Sequence, residues 1–229
     1  MTGGIPEWEA VLEELRGSPR SRLVLVPDPA ESPRSVALLA GSFDPITIGH
    51  AAMAEAVARR VELVVLVYSV RTLPKEGPGP AALLLEKERV AALDAFCRAR
   101  GYAVGLSSHG LLADQVAAAG ERFPGAEIVV VMGSDKLLQL FDPRWYGDVD
   151  AALTPMFERA RVAYTVRTGD DEAVEACLGR NARWGGRIER LHIPPDAAAA
   201  SSRRVRELLA RGDDVSTLVP AEVRAFLPG

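Results

Sequence analysis

Three stretches of this 229-residue chain carry residue types whose spacing could hold a multiply charged anion. The first, GSFDPITIGH at 41–50, directly follows the apolar run VALLA. Gly41 and Gly49 let backbone come close to a ligand, Pro45 stiffens the loop between them, and a helix from His50 would offer unpaired N–H groups to an anion. The combination reads as a phosphate cradle, although a structural turn would use the same residues. The second, SSRRVR at 201–206, places two potential N-cap hydroxyls ahead of Arg203, Arg204 and Arg206. Hydroxyls, free N–H groups and guanidinium forks then converge on one anion site, a pattern shared with a capped, solvated surface helix. In the third, MGSDKLLQLFDPRW at 132–145, Asp135 follows an apolar run and Trp145 follows Pro143. Asp135 can cap a helix, and Trp145 can pack in the core or stack on a flat ligand.

The motifs for other chemistries are missing. Neither G-x-x-x-x-G-K-[ST] nor G-x-G-x-x-G occurs, nor does H-E-x-x-H or a Ser-His-Asp order. Of the three histidines, His109 and His192 read as structural. A site of this kind must position and neutralise a substrate without a protein nucleophile.

The elements that would position these stretches follow from periodicity. Continuous aliphatic runs at 36–40, 61–69, 102–107, 127–132, 161–166 and 187–193 read as strands buried on both faces. Amphipathic patterns at 50–60, 85–100, 110–123, 134–141, 151–160 and 201–212 read as the helices between them. The alternation predicts an α/β fold, a parallel sheet with helices on both faces, whose ligand site lies beyond the strand carboxyl ends. Ahead of it, a helix at 7–17, a short strand at 22–26 and the Pro-rich link PDPAESP form an N-terminal ornament over residues 1–33, leaving 34–229 as the main domain.

Composition narrows the partners. A formal charge of −4 lacks the basic excess expected for nucleic-acid or membrane-surface binding. The start of the chain lacks the basic-then-apolar order of a signal peptide, and no apolar run reaches spanning length, so a cytoplasmic protein is expected. Cys97 and Cys177 lie far apart on segments that read as helical, as small core residues in a reducing compartment. Homo-oligomerisation is left open.

Taken together, the two ends resemble the nucleotidyltransferase superfamily with the H/T-x-G-H signature. The matching residues are Gly41, Ser42, Phe43, Asp44, Pro45, Thr47, Gly49 and His50, then Ser201, Ser202, Val205 and Arg206 against S-S-T-x-I-R. The M-G-x-D…W segment and GDDVSTLVPAEV at 212–223 resemble nicotinate and nicotinamide mononucleotide adenylyltransferases. The resemblance spans roughly residues 36–228 and implies a Rossmann-like fold, ATP with Mg2+, and transfer of an adenylyl group to a pyridine mononucleotide in NAD biosynthesis. It implies that Gly41, Ser42 and Thr47 cradle phosphates with Phe43 and Gly49 in the same loop, and that His50 bonds the α-phosphate. Ser201, Ser202 and Arg206 would hold the leaving phosphates, and Gly133 and Asp135 the nucleotide ribose. Lys75 would meet the acceptor phosphate, and Trp145 would stack on the pyridine ring. Thr47 in place of the first motif histidine, and GLLADQ at 110–115, resemble phosphopantetheine adenylyltransferases instead. Arg203 stands where the superfamily has Thr. Another phosphorylated acceptor, or a non-catalytic nucleotide-binding relative, is the alternative.

Overall fold

The computed structural model describes residues 5–71, 81–167 and 169–228. Its elements run α1 (Ile5–Gly17), β1 (Leu23–Val26), β2 (Ser35–Gly41), α2 (Ile48–Ala58), β3 (Leu63–Ser69), α3 (Glu86–Arg98) and β4 (Ala103–Ser107). They continue through α4 (Leu112–Arg122), β5 (Glu127–Gly133), α5 (Ser134–Leu140), α6 (Pro143–Tyr146), α7 (Val149–Arg159) and β6 (Ala160–Thr165). After α8 (Asp171–Arg180) and a 3₁₀ turn come β7 (Ile188–Arg190), α9 (Pro195–Ala199), α10 (Ser202–Leu209) and α11 (Ala221–Arg224).

The seven strands form one sheet in the order β1-β4-β3-β2-β5-β6-β7. Six are parallel, and β1 pairs antiparallel with β4. Chain order reverses at β2, which has β3 on one side and β5 on the other. This leaves a crevice beyond the carboxyl ends of β2 and β5, where the sequence places its glycine-rich loops.

Alternation along the strands divides the core. Ala37 and Leu39 of β2, with Val129 and Val131 of β5, join the layer that contains Trp8, Leu12 and Leu15 of α1. Val36, Leu38, Ile128 and Val130 face the opposite layer, with Val116 of α4 and Phe157 of α7. Both faces are thus covered, which is why these strands read as continuous apolar runs. A smaller cluster of Val205, Val215 and Val219 holds α10 against the C-terminal segment.

The structure corrects several boundaries. The strand expected over 187–193 narrows to β7, because Pro194 and Pro195 turn the chain into α9. α2 begins two residues earlier than expected, at Ile48. Residues 5–26 share the sheet and core of the main domain, with β1 at one edge. None of the helices among the described residues is long and apolar enough to cross a membrane.

Candidate active site

A cavity of about 720 Å³ opens at the chain reversal. Its wall includes Gly41 and Ser42 from the end of β2, His50 of α2, Gly133 and Asp135 after β5, Trp145 of α6, and Ser201, Ser202 and Arg206 of α10. Residues separated by more than 150 positions in sequence therefore meet on one surface.

The first loop is shaped by a side chain folding under its own backbone. Phe43 is buried at φ +44°, a left-handed conformation rarely adopted by large residues. Its ring lies beneath Gly41, where a Cβ would come within 2.8 Å of it. Glycine is therefore required at 41 by close approach. Gly49 meets a different neighbour: a Cβ there would lie 2.7 Å from the Ala197 carbonyl and 2.9 Å from that of Ala200. It admits the backbone of α9, and it does not line the cavity. Phe43 and Thr47 are likewise buried behind the wall.

Thr47 acts on His50. The Thr47 N–H donates to His50 Nδ1 at 3.1 Å, and its hydroxyl lies 3.0 Å from the same nitrogen. Nδ1 is therefore an acceptor, and the neutral ring carries its hydrogen on Nε2. The Phe43 ring packs edgewise on the imidazole, with centroids 5.4 Å apart. Burial first, then the nearby Arg167 and Lys136, push the His50 pKa down to about 4 against the opposing pull of Asp135. At neutral pH His50 is an uncharged, oriented N–H donor.

Asp44 ties the loop to its surroundings. Its carboxylate is buried, accepts from the N–H groups of Leu83 and Leu84, and faces Arg89 at 3.4 Å and Arg206 at 3.6 Å. Arg206 Nη1 also donates to the Asp44 carbonyl at 2.6 Å. Ser202 donates to the Pro45 carbonyl at 2.8 Å, and Ser201 caps α10 by accepting from Arg204 N–H at 3.1 Å. The start of α10 is thus bolted onto the first loop through Asp44 and Pro45.

The third stretch forms the opposite wall. Asp135 lies 3.6 Å from Arg167, and Lys136 donates to the Ala40 carbonyl at 2.9 Å. Asp142 caps α6 by accepting from Arg144 N–H at 3.0 Å, which fixes Trp145 beside the cavity. Lys75 lies outside the described residues. Sequence reasoning missed Arg167 and Lys136, both of which line the cavity. Each follows a strand end or sits one turn beyond it, and that position was the available signal.

A twisted sheet with a reversal-point cavity, glycine-rich loops and convergent cations defines a nucleotidyltransferase-type α/β enzyme. The chain belongs to the cytidylyltransferase-like family, whose model matches residues 38–208. A protein of Lachnoclostridium phytofermentans, named "probable nicotinate-nucleotide adenylyltransferase", is 23% identical over 85% of this chain and 96% of its own length. A phosphopantetheine adenylyltransferase of Leifsonia xyli subsp. xyli is 29% identical over 84% of this chain and 96% of its own. The solved structure of Plasmodium falciparum nicotinic acid mononucleotide adenylyltransferase complexed with NaAD superposes with a TM-score of 0.60 at 14% identity. That match covers 84% of this chain and 94% of the other, and shows a shared fold.

Proposed function

We propose that this enzyme transfers the adenylyl group of ATP to the phosphate of a pyridine mononucleotide, nicotinate or nicotinamide mononucleotide, and releases pyrophosphate. The reaction belongs to NAD biosynthesis, and a cytoplasmic location accompanies this reading. The observation that carries it is the convergence in one cavity of His50, the Gly133–Asp135 turn with Trp145, and the Ser201–Arg206 helix start. The name of the Lachnoclostridium phytofermentans relative supports the acceptor.

The acceptor phosphate is already ionised at pH 7, so attack on the α-phosphorus needs no strong base. The protein's task is positioning and charge stabilisation. His50 Nε2–H is proposed to bond the α-phosphate as negative charge develops there, with Arg167 and Lys136 adding positive potential from the facing wall. An uncharged donor suits the step because it holds no proton that could be lost to the phosphate. Asp135 is proposed to accept from a ribose hydroxyl, and Trp145 to stack on the pyridine ring.

Magnesium is the proposed cofactor. Among the described residues no group of three or more His, Cys, Asp or Glu is placed to hold a metal. The cavity carboxylates Asp135 and Asp142 are engaged with Arg167 and Arg144. These residues fit an ion that arrives on the ATP phosphates and keeps its own waters. Bound there, it neutralises charge on the departing pyrophosphate.

Gly110 and Gln115 of the GLLADQ stretch also line the cavity, which favours phosphopantetheine as the second reading. Pyrophosphate release from Mg-ATP with nicotinate mononucleotide, nicotinamide mononucleotide and phosphopantetheine separates the two. Release with either pyridine acceptor is expected, whereas release with phosphopantetheine alone selects the second reading. No release with any of the three contradicts both.

A further inference from the structure

The two side chains aligned with the superfamily's leaving-group motif are already occupied in this chain. Ser202 spends its one hydroxyl hydrogen on the Pro45 carbonyl. Arg206 is 7% exposed, its Nη1 is committed to the Asp44 carbonyl, and its Nε is buried without a partner among the described residues. Breaking those contacts to reach a ligand would leave the Asp44 carbonyl and carboxylate short of donors in a buried place. One turn earlier on the same helix stands Arg203. It is exposed, lines the cavity, and makes no hydrogen bond or ion pair among the described residues.

We propose that Arg203 is the phosphate-binding residue for the β- and γ-phosphates of ATP and the pyrophosphate they become, and that Arg206 is a buried lock on the first loop. This rests on the adenylyl-transfer reading. In that step an oxygen of the acceptor phosphate forms a bond to the α-phosphorus. The bond from that phosphorus to the α,β-bridging oxygen breaks, and its electron pair leaves with the pyrophosphate, so no proton need move. The negative charge that appears is therefore on the group leaving toward α10. The backbone N–H groups of Ser202 and Arg203, in the helix's first turn, are the nearest dipoles of matching sign, because that of Arg204 is taken by the Ser201 cap. A guanidinium on an exposed stem can follow the phosphates as they separate from the α-phosphate. Arg206, held from two sides, cannot. Thr at position 203 would lack this cation, so the exchange of Thr for Arg gives the site a charge that the motif residues no longer supply.

The test uses the full chain and three probes, Mg-ATP, magnesium pyrophosphate and AMP, with affinities measured by titration calorimetry. Arg203→Ala is expected to weaken ATP and pyrophosphate about tenfold each, the scale of one partly solvated charge-assisted contact. AMP, which has no leaving phosphates, is expected to bind as in the wild type. Arg203→Lys is expected to recover part of the loss. Arg204→Ala, outside the cavity, is expected to change nothing, and the melting temperature of Arg203→Ala is expected to match the wild type. Unchanged ATP and pyrophosphate affinity in Arg203→Ala overturns the assignment, as does an equal loss for AMP. A wild-type chain that binds neither ATP nor pyrophosphate sinks the adenylyl-transfer reading itself, an outcome distinct from the other two.

Discussion

His50 receives both its Nδ1 contacts from Thr47, so one residue fixes the ring's tautomer and its aim. Replacing it with Asn keeps an acceptor for the Thr47 N–H and removes the N–H directed to the substrate. His50→Asn is expected to lower turnover on the order of 10²–10³-fold in a folded protein, as for the loss of one oriented donor to developing charge. The ring also leaves a signature in stability. Its folded pKa of about 4 lies below the ordinary 6.5, so the folded state binds fewer protons between those values. The neutral ring's contribution is complete above pH 6.5 and is lost as pH falls toward 4. Denaturant unfolding from pH 7.5 to 4 is expected to show wild type losing its advantage over His50→Asn across that window. A difference that stays constant with pH would show that the ring is not held neutral. At Gly49 the expectation concerns packing: an alanine Cβ would meet two backbone carbonyls of the α9 segment, which cannot swing aside as a flexible side chain would. Gly49→Ala is expected to cost about 2 kcal/mol, measured by chemical denaturation.

At the scale of elements, Asp44 joins β2's loop to α3 through Arg89 and to α10 through Arg206. The three elements approach from different sides of the cavity, so one carboxylate sets their spacing. Asp44→Asn keeps the shape but removes the charge that both guanidinium groups face. It is expected to destabilise the fold by about 3 kcal/mol, read from the urea midpoint, and to weaken ATP binding because α10 loses its anchor. An unchanged midpoint would mean that Arg89 and Arg206 find other partners. Much of this scale was legible in advance. The strands β2, β3 and β5 and the helices α2, α3 and α10 announce themselves by apolar runs, amphipathic spacing and the Ser201 cap. Three features were not legible. α9 has five residues and a proline start, too short for period to show. β1 runs antiparallel because α1 delivers it to the free edge of β4, a tertiary choice with no local code. The burial of Thr47 and Phe43 behind the loop depends on Phe43's left-handed backbone, which no residue type other than glycine advertises.

On the scale of the whole molecule, the sheet's reversal at β2 decides which residues can cooperate. Motif residues near 41–50, 133–145 and 201–206 are brought together because β2 and β5 are neighbours and α10 folds back over both. The central claim is that this assembled cavity moves an adenylyl group by positioning and electrostatics, without a covalent enzyme intermediate. The most direct measurement is a single-turnover experiment with excess enzyme, ATP labelled at the α-phosphorus, magnesium and nicotinamide or nicotinate mononucleotide. Label is predicted to pass from ATP to the dinucleotide in one phase, with one pyrophosphate per dinucleotide and no labelled protein after acid quench. Label that remains in ATP with both acceptors, or that appears on the protein before the dinucleotide, would contradict the account.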